Sequence, residues 1–187
     1  MKYYLMAFLC GIGCLHFVQE YSKARLSAPA PWVKVGSWTL TDQNKQPFGS
    51  KDLAGKVVIA SFFFTRCPSI CPKLAYSMTE VKKRFLKILD KAHFVSISID
   101  PEHDTPEVLA AYAAKNKLDW TFLTGTKEQI NQVVEGQMKF AVGNAHHLAE
   151  LVLFDQQGDL RGKFSTDPTG MASLEKAAKY LIEHPGQ

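Results

Sequence analysis

A nearly continuous apolar run from Val57 to Phe64 is the feature that most constrains how this chain folds. It is rich in β-branched and aromatic residues, which is typical of a central strand covered on both faces. Such a strand needs helices on each side of its sheet, so the run predicts an α/β domain. The run ends directly at a segment that contains Cys67 and Cys71.

Strands and helices alternate along the chain that follows. After Pro72, apolar residues recur at helical spacing as far as Ile88, which predicts an amphipathic helix. A strand is predicted at residues 93–99, and a helix is predicted to begin within the segment Asp104-Thr105-Pro106-Glu107, where Asp104 or Thr105 is its cap. Another strand is predicted around residues 121–123. The alternation favours parallel strands joined by crossover helices.

The remaining elements are a second crossover helix, two paired strands and a last helix. Thr126 and Gln129 have the spacing of a capping box. The buried side of the helix that they begin is predicted to contain Ile130, Val133, Val134 and Met138. Strands at 148–154 and 160–164 are joined by the turn residues Asp155-Gln156-Gln157-Gly158, and the last helix is predicted at about 171–182.

A hairpin is also predicted ahead of the central strand. Its strands, Ser37 to Thr41 and Gln46 to Phe48, flank the turn Asp42-Gln43-Asn44-Lys45. The order of elements therefore predicts a thioredoxin-like α/β sandwich, with a central mixed sheet flanked by helices and an N-terminal β-hairpin.

The first 24 residues are predicted to be a signal or membrane-anchor segment. Lys2 precedes the run Tyr3 to Val18, which is near the upper length of a signal-peptide core and somewhat below the roughly 20 residues that span a bilayer. Retention as a short membrane anchor is the favoured interpretation, and cleavage after Ala24 or a lipid on Cys14 are the alternatives. All three routes export the domain, so we expect it in the periplasm or on the outer face of the inner membrane.

Residues 25–35 are predicted to be a linker, and residues 36–187 to form the domain. The linker contains Ser, Ala and two prolines without an apolar period. The length of 187 residues and the hydrophobic content of 46% suit one domain rather than two. The net charge of +4 is spread without a dense basic block, which does not predict a nucleic-acid partner.

Cys67 and Cys71 are the candidate chemical centre of the chain. Three residues separate them, so in a helical loop they lie on one face with Cβ atoms roughly 5–6 Å apart. That separation suits a shared metal or a disulfide, and export leaves a dithiol, a disulfide and a metal pair all open. A purely structural disulfide is disfavoured because so short a loop gains little stability from cross-linking.

Two soft sulfurs need a further ligand for most metals, and an imidazole beside two thiolates suits Cu(I) well and Zn(II) passably. The candidate histidines outside the targeting segment are His93, His103, His146, His147 and His184. His93 and His184 are predicted to be surface or capping residues. His146 and His147 precede a predicted strand, and neighbours in an extended segment point to opposite faces, so only one of the two is expected to face the cysteines.

The chain resembles the Sco/SenC family of copper-binding, thioredoxin-like proteins involved in cytochrome c oxidase assembly. The resemblance runs from about Gly36 to the last helix. The matching segments are Thr39-Leu40-Thr41-Asp42, Cys67-Pro-Ser-Ile-Cys71-Pro72, Ser98-Ile99-Asp100-Pro101-Glu102-His103-Asp104-Thr105-Pro106-Glu107 and Trp120-Thr121-Phe122-Leu123-Thr124-Gly125. In the family, the metal-binding histidine stands just before the strand that leads to the Asp/Gly turn, which selects His147. This chain has His146 where the family usually has Asp.

The resemblance implies a metallochaperone in which Cys67, Cys71 and His147 bind one copper ion, as Cu(I) or Cu(II). It implies cytochrome c oxidase subunit II, or another copper-accepting protein, as the recipient, and a copper donor protein as the source. The N-terminal segment would provide the contact with the membrane. Oxidation of Cys67 and Cys71 to a redox-active disulfide would remove both sulfur ligands and gate loading.

Two enzyme alternatives stay open. A thiol–disulfide oxidoreductase would keep the recipient's cysteines reduced, although such reductases usually have two residues between their cysteines and a cis-proline where this chain has Ala145-His146-His147. A thiol peroxidase would need a Thr and an Arg beside its cysteine, a set that Thr65 and Arg66 imitate only loosely.

Overall fold

The computed structural model describes residues 33–140 and 149–186. The predicted targeting segment, most of the predicted linker, and both His146 and His147 lie outside these ranges. The strands of the described part are β1 (Thr39–Asp42), β2 (Pro47–Gly49), β3 (Val57–Phe63), β4 (Ala92–Ser98), β5 (Thr121–Thr124), β6 (Glu150–Phe154) and β7 (Leu160–Ser165). Its helices are α1 (Ile70–Arg84), α2 (Pro106–Asn116), α3 (Lys127–Asn131) and α4 (Pro168–Glu183).

The strands form a single mixed sheet in the order β2-β1-β5-β4-β3-β6-β7. β3 is parallel to β4, and β4 is parallel to β5. The outer pairings, β1 with β2 and β5, β6 with β3, and β7 with β6, are antiparallel. The predicted N-terminal hairpin and the predicted β6–β7 hairpin are both confirmed.

β3 is buried along its whole length, as its continuous apolar sequence predicts. Alternate side chains of a strand point to opposite faces, and β3 contributes to two cores in that way. Val57, Ile59 and Phe63 join the core beneath α1 and α4. Val58, Ala60 and Phe62 join the core on the other face, which includes Ile130 of α3.

Three predicted helix starts need correction or refinement. α1 begins at Ile70 rather than after Pro72, because a proline in the first helical turn sacrifices no intrahelical hydrogen bond. Thr105, not Asp104, caps α2 and accepts a hydrogen bond from the backbone N–H of Val108. α4 begins at Pro168, three residues before the predicted start, because Asp167 accepts hydrogen bonds from the first N–H groups of the helix.

The capping box of Thr126 and Gln129 is confirmed at the start of α3. The helix then widens into a π-helical turn, Gln132–Gln137. The residues predicted for its buried side, Ile130, Val133, Val134 and Met138, are all buried.

The carboxyl ends of β3 and β4 meet at one edge of the sheet, where Phe63 pairs with Ser98. The loop after β3 therefore lies beside the loop after β4, and the cysteine motif belongs to the first of these loops. Among residues 33–140 and 149–186, no helix is long and apolar enough to cross a membrane.

Candidate metal centre

The two cysteines lie at the junction of β3 and α1. The backbone N–H of Cys67 donates to the carbonyl of Phe64 at 3.2 Å, which turns the chain away from β3. Cys71 lies in the first turn of α1, and its backbone N–H donates to the Cys67 sulfur at 3.4 Å. Both are free thiols, with Cys67 partly exposed and Cys71 buried. The two residues lie close together as predicted, but Cys67 precedes the first residue of α1, so a non-helical loop rather than a helical turn brings them together.

The two thiols differ in acidity because their surroundings differ. Burial alone would raise the pKa of Cys67, but hydrogen bonds to its sulfur, chiefly from the backbone N–H groups of Cys71 and Ser69, outweigh burial and lower that pKa below its ordinary value. Burial raises the pKa of Cys71 to about 12, and the nearby charges of Cys67 and Asp104 add to the increase. Cys67 is thus the accessible, thiolate-forming sulfur of the pair.

Asp104 ties the cysteine loop to the neighbouring loop after β4. Its side chain is fully buried and accepts hydrogen bonds from the backbone N–H of Thr65 at 3.0 Å and from the Ser98 hydroxyl at 2.6 Å. The Thr65 hydroxyl donates to the same carboxylate. Three donors on one buried carboxylate satisfy it without an ion pair, and they fix the loop two residues before Cys67.

Arg66 makes a second, more exposed connection between the same loops. Its Nη2 lies 2.8 Å from Oδ2 of Asp100 and 2.9 Å from Nδ1 of His103. The His103 nitrogen is also 3.0 Å from Oδ1 of Asp100. Partial burial would raise the pKa of Asp100, but the hydrogen bonds from Arg66 and His103 outweigh burial and lower that pKa.

These contacts bear on the peroxidase alternative. Such an enzyme needs its Thr and Arg directed at the reactive cysteine. Here the Thr65 hydroxyl donates to Asp104, and Arg66 contacts Asp100 and His103. The hydrogen bonds of both residues run toward the loop after β4, so these contacts do not support the peroxidase alternative.

The described histidines lie in three different settings. His93, near the start of β4 and so at the opposite edge from the cysteines, is half-buried and pairs with the Thr121 hydroxyl at 2.9 Å, which corrects its predicted surface position. His184 lies past the end of α4 and contacts the carbonyl of Tyr180, as expected of a capping residue. His103 belongs to the Arg66 cluster.

His147 and His146 lie outside the described residues, so the structure gives the positions of the two sulfurs alone. Within residues 33–140 and 149–186, no cluster of three or more His, Cys, Asp or Glu side chains is arranged to hold a metal ion.

The sequence analysis did not predict that Asp104 joins the two loops or that Arg66, Asp100 and His103 form a cluster. Asp104 was interpreted as one of two candidate helix caps, but Thr105 is the cap, and the Asp104 carboxylate accepts hydrogen bonds from Thr65 and Ser98 instead. One sequence feature was available for both: two aspartates follow a predicted parallel strand next to the cysteine strand, and the carboxyl ends of such strands meet at one edge.

Comparison with known proteins agrees with this geometry. The SCO1/SenC family model matches residues 28–182. A SCO2-like protein from Rickettsia felis is 32% identical over 142 residues, which cover 70% of this chain and 67% of the relative.

Two solved structures show the same fold. The crystal structure of a SCO1/SenC family lipoprotein from Bacillus anthracis is 31% identical, with a TM-score of 0.71, over 83% of this chain and 98% of that chain. The structure of Bradyrhizobium japonicum ScoI with copper bound is 28% identical, with a TM-score of 0.66, over 80% of this chain and 98% of that chain. These matches confirm the predicted thioredoxin-like α/β sandwich, and the family match over most of the chain shows that this protein belongs to the SCO1/SenC family.

Proposed function

We propose that this protein is a copper metallochaperone that binds one copper ion through Cys67, Cys71 and His147. The observation that carries the proposal is the pair of free sulfurs at the start of α1, brought together by the hydrogen bond from the Cys71 N–H to the Cys67 sulfur. Thiolates are soft ligands that suit copper, above all Cu(I). The copper-bound ScoI of Bradyrhizobium japonicum, a member of the same family, supports copper as the cargo.

The strand topology supports His147 as the third ligand. β6 is antiparallel to β3, with Val152 opposite Ala60 and Phe154 opposite Val58. The amino end of β6, at Glu150, is therefore beside the carboxyl end of β3, where the cysteine loop begins. His147 stands three residues before Glu150, so the chain reaches β6 from the edge of the sheet that holds the sulfurs.

Membership of the SCO1/SenC family supports a role in cytochrome c oxidase assembly. A Sco protein of the same fold is described as a member of a family of cytochrome c oxidase assembly proteins. We propose that this chain receives copper from a donor protein and passes it by ligand exchange to the copper centre of oxidase subunit II. The domain would work on the outer face of a membrane, attached by its N-terminal segment, in line with the lipoprotein relative of Bacillus anthracis. A disulfide between Cys67 and Cys71 would withhold both sulfurs from copper, so only the reduced pair would load.

A Cu(I) titration tests the ligand set. The full chain with Cys10→Ser and Cys14→Ser is reduced, kept anaerobic in a neutral detergent, and titrated while copper–thiolate absorption is followed. We expect one copper per chain, and an affinity more than about tenfold lower in His147→Ala. His146→Ala is the matched control and retains the affinity. Unchanged stoichiometry, affinity and spectrum in His147→Ala would reject the assignment.

The alternative function is a thiol–disulfide reductase that keeps the recipient's cysteines reduced. The difference in exposure and acidity between the two thiols favours a reductase. Cys67 is partly exposed with a lowered pKa, whereas Cys71 is buried with a raised pKa. An exposed thiolate beside a buried thiol is the arrangement of an attacking and a resolving cysteine. Rapid catalytic reduction of insulin by copper-free protein, with loss of turnover in Cys67→Ser, would favour this enzyme over the metallochaperone.

A further inference from the structure

The surroundings of Cys67 carry an uneven distribution of charge. Arg66 directly precedes Cys67, and Lys73 follows Cys71 by two residues in α1. Both are exposed, and the side chain of Arg66 keeps 59% of its surface accessible. The first turn of α1 contains no acidic residue. The exposed charged residues next to the two cysteines in sequence are therefore both basic.

The acidic residues of the neighbouring loop offset this charge only in part. Asp104 is buried and satisfied by Thr65 and Ser98, so it faces the interior. Glu102 and Glu107 form ion pairs with other lysines, Lys127 and Lys45 respectively. Asp100 forms an ion pair with Arg66 and offsets its charge, so Lys73 is the cation of this region that has no ion pair among the described residues. The segment 141–148, Ala-Val-Gly-Asn-Ala-His-His-Leu, contains no Asp or Glu in its sequence.

Arg66 keeps hydrogen-bond donors for a further ligand. Its contacts with Asp100 and His103 both use Nη2. In the described part of the chain, Nη1 and Nε donate to no protein acceptor, and Lys73 forms no ion pair. A guanidinium presents its donors in a planar fork that matches a carboxylate, and Asp100 and His103 hold the guanidinium of Arg66, the residue directly before Cys67.

An exposed aromatic residue continues the same surface. Tyr76 is 68% exposed and lies three residues after Lys73, hence on the same side of α1. Large aromatic side chains and arginines are enriched among the residues that carry binding energy at protein interfaces. Arg66, Lys73 and Tyr76 together are called the cationic surface below.

We infer that the cationic surface is a docking site for an acidic segment of the protein that exchanges copper with this site. Carboxylates of the partner would meet the unused donors of Arg66 and the ammonium of Lys73, which would bring the partner's thiols to Cys67. The inference rests on the proposed function for the exchange of copper, whereas the preference for an acidic segment can be measured without any metal.

Two matched peptides test the preference on the reduced full chain with Cys10→Ser and Cys14→Ser, in neutral detergent. Each contains one cysteine in a mixed disulfide with thionitrobenzoate, flanked by glutamates in one peptide and by lysines in the other. The Cys67 thiolate attacks the peptide sulfur and is oxidised to the Cys67–peptide disulfide. The thionitrobenzoate thiolate leaves with the electron pair, and its colour gives the rate.

We expect the acidic peptide to react about three to ten times faster than the basic peptide at low ionic strength, with the difference shrinking at high salt. The double variant Arg66→Gln, Lys73→Gln lowers the ratio of the acidic-peptide rate to the basic-peptide rate toward one. Lys73→Gln alone lowers this ratio in part and leaves every contact of Arg66 in place. Lys87→Gln, which removes an equal charge beyond the other end of α1, leaves the ratio unchanged.

Equal rates for both peptides at low salt, or a ratio that survives the double substitution, would overturn the inference. The copper titration is a separate measurement. Failure to bind copper with the peptide preference intact would reject the proposed function alone, and copper binding without the preference would reject the docking surface alone.

Discussion

Thr65 and Asp104 are joined by two hydrogen bonds, one from the Thr65 backbone N–H and one from its hydroxyl, to the two oxygens of the same carboxylate. The residues are 39 positions apart in sequence, and the contact links the loops that follow β3 and β4. Because Asp104 is fully buried and Thr65 lies two residues before Cys67, the position of the cysteine loop depends on this buried acid.

Asp104→Asn is therefore expected to destabilise the domain by about 2–4 kcal/mol, since an amide leaves part of the donor set without an acceptor in a buried position. Urea unfolding of the reduced protein measures the change. Thr105→Ala, which removes the α2 cap next to Asp104, is the control and should cost about 1 kcal/mol. Equal losses in the two variants would mean that Asp104 contributes no more than an ordinary helix cap.

Alkylation should distinguish the two cysteines. The pKa of Cys67 is lowered, whereas that of Cys71 is raised to about 12, so at about pH 8 the thiolate is concentrated on Cys67. We expect iodoacetamide to modify Cys67 more than about tenfold faster than Cys71, as followed by peptide mass spectrometry. Denatured protein, in which both thiols are exposed, is the control and should show similar rates. A faster reaction at Cys71 in the folded protein would contradict the assignment of Cys67 as the reactive thiol.

Arg66→Gln should raise the pKa of Asp100, because the hydrogen bond from the Arg66 guanidinium is one of the main interactions that lower this pKa. A lowered carboxyl pKa adds stability above the unfolded pKa, and that stability is lost as the pH falls through the folded pKa. The difference in unfolding free energy between the wild type and Arg66→Gln should thus narrow in acid.

Carboxyl chemical shifts followed by NMR against pH measure the Asp100 pKa directly. Lys127→Gln, which breaks the ion pair with the nearby Glu102, is the matched control and should leave Asp100 unchanged. An Asp100 titration that is the same in Arg66→Gln and in the wild type would show that His103 alone accounts for the shift.

A buried polar chain behind Cys71 gives a further stability prediction. The Ser96 hydroxyl lies 2.8 Å from that of Ser61 and accepts a hydrogen bond from the Trp120 indole N–H at 2.9 Å. Ser96→Ala should cost about 1–3 kcal/mol, because it leaves both neighbours without their partner in the core. Ser61→Ala should cost less, since the bond between Trp120 and Ser96 survives. Denaturant unfolding compares the two, and an equal loss would show that the indole bond contributes little.

Features that depend on neighbours along the chain follow from the sequence alone. The apolar run of β3, the amphipathic spacing of α1 and the capping box of α3 each follow from local pattern, and all were predicted. The approach of Cys67 to Cys71 is also local, because only four positions separate them, although Cys67 lies in the loop before α1 rather than in the helix. Local pattern was less accurate at helix ends, where Pro72 was taken as a boundary although the first turn of a helix tolerates proline.

Tertiary structure decided what surrounds the cysteines. Asp104 was a candidate cap in the sequence, yet its carboxylate is buried against Thr65 and Ser98. Arg66 meets Asp100 across 34 positions of sequence. The physical reason is the parallel pairing of β3 with β4, which carries two distant loops to one edge of the sheet and lets their polar side chains satisfy one another. A sequence pattern contains the spacing of residues along the chain but not the register between strands. It therefore predicts the position of the two sulfurs but not the residues that surround them.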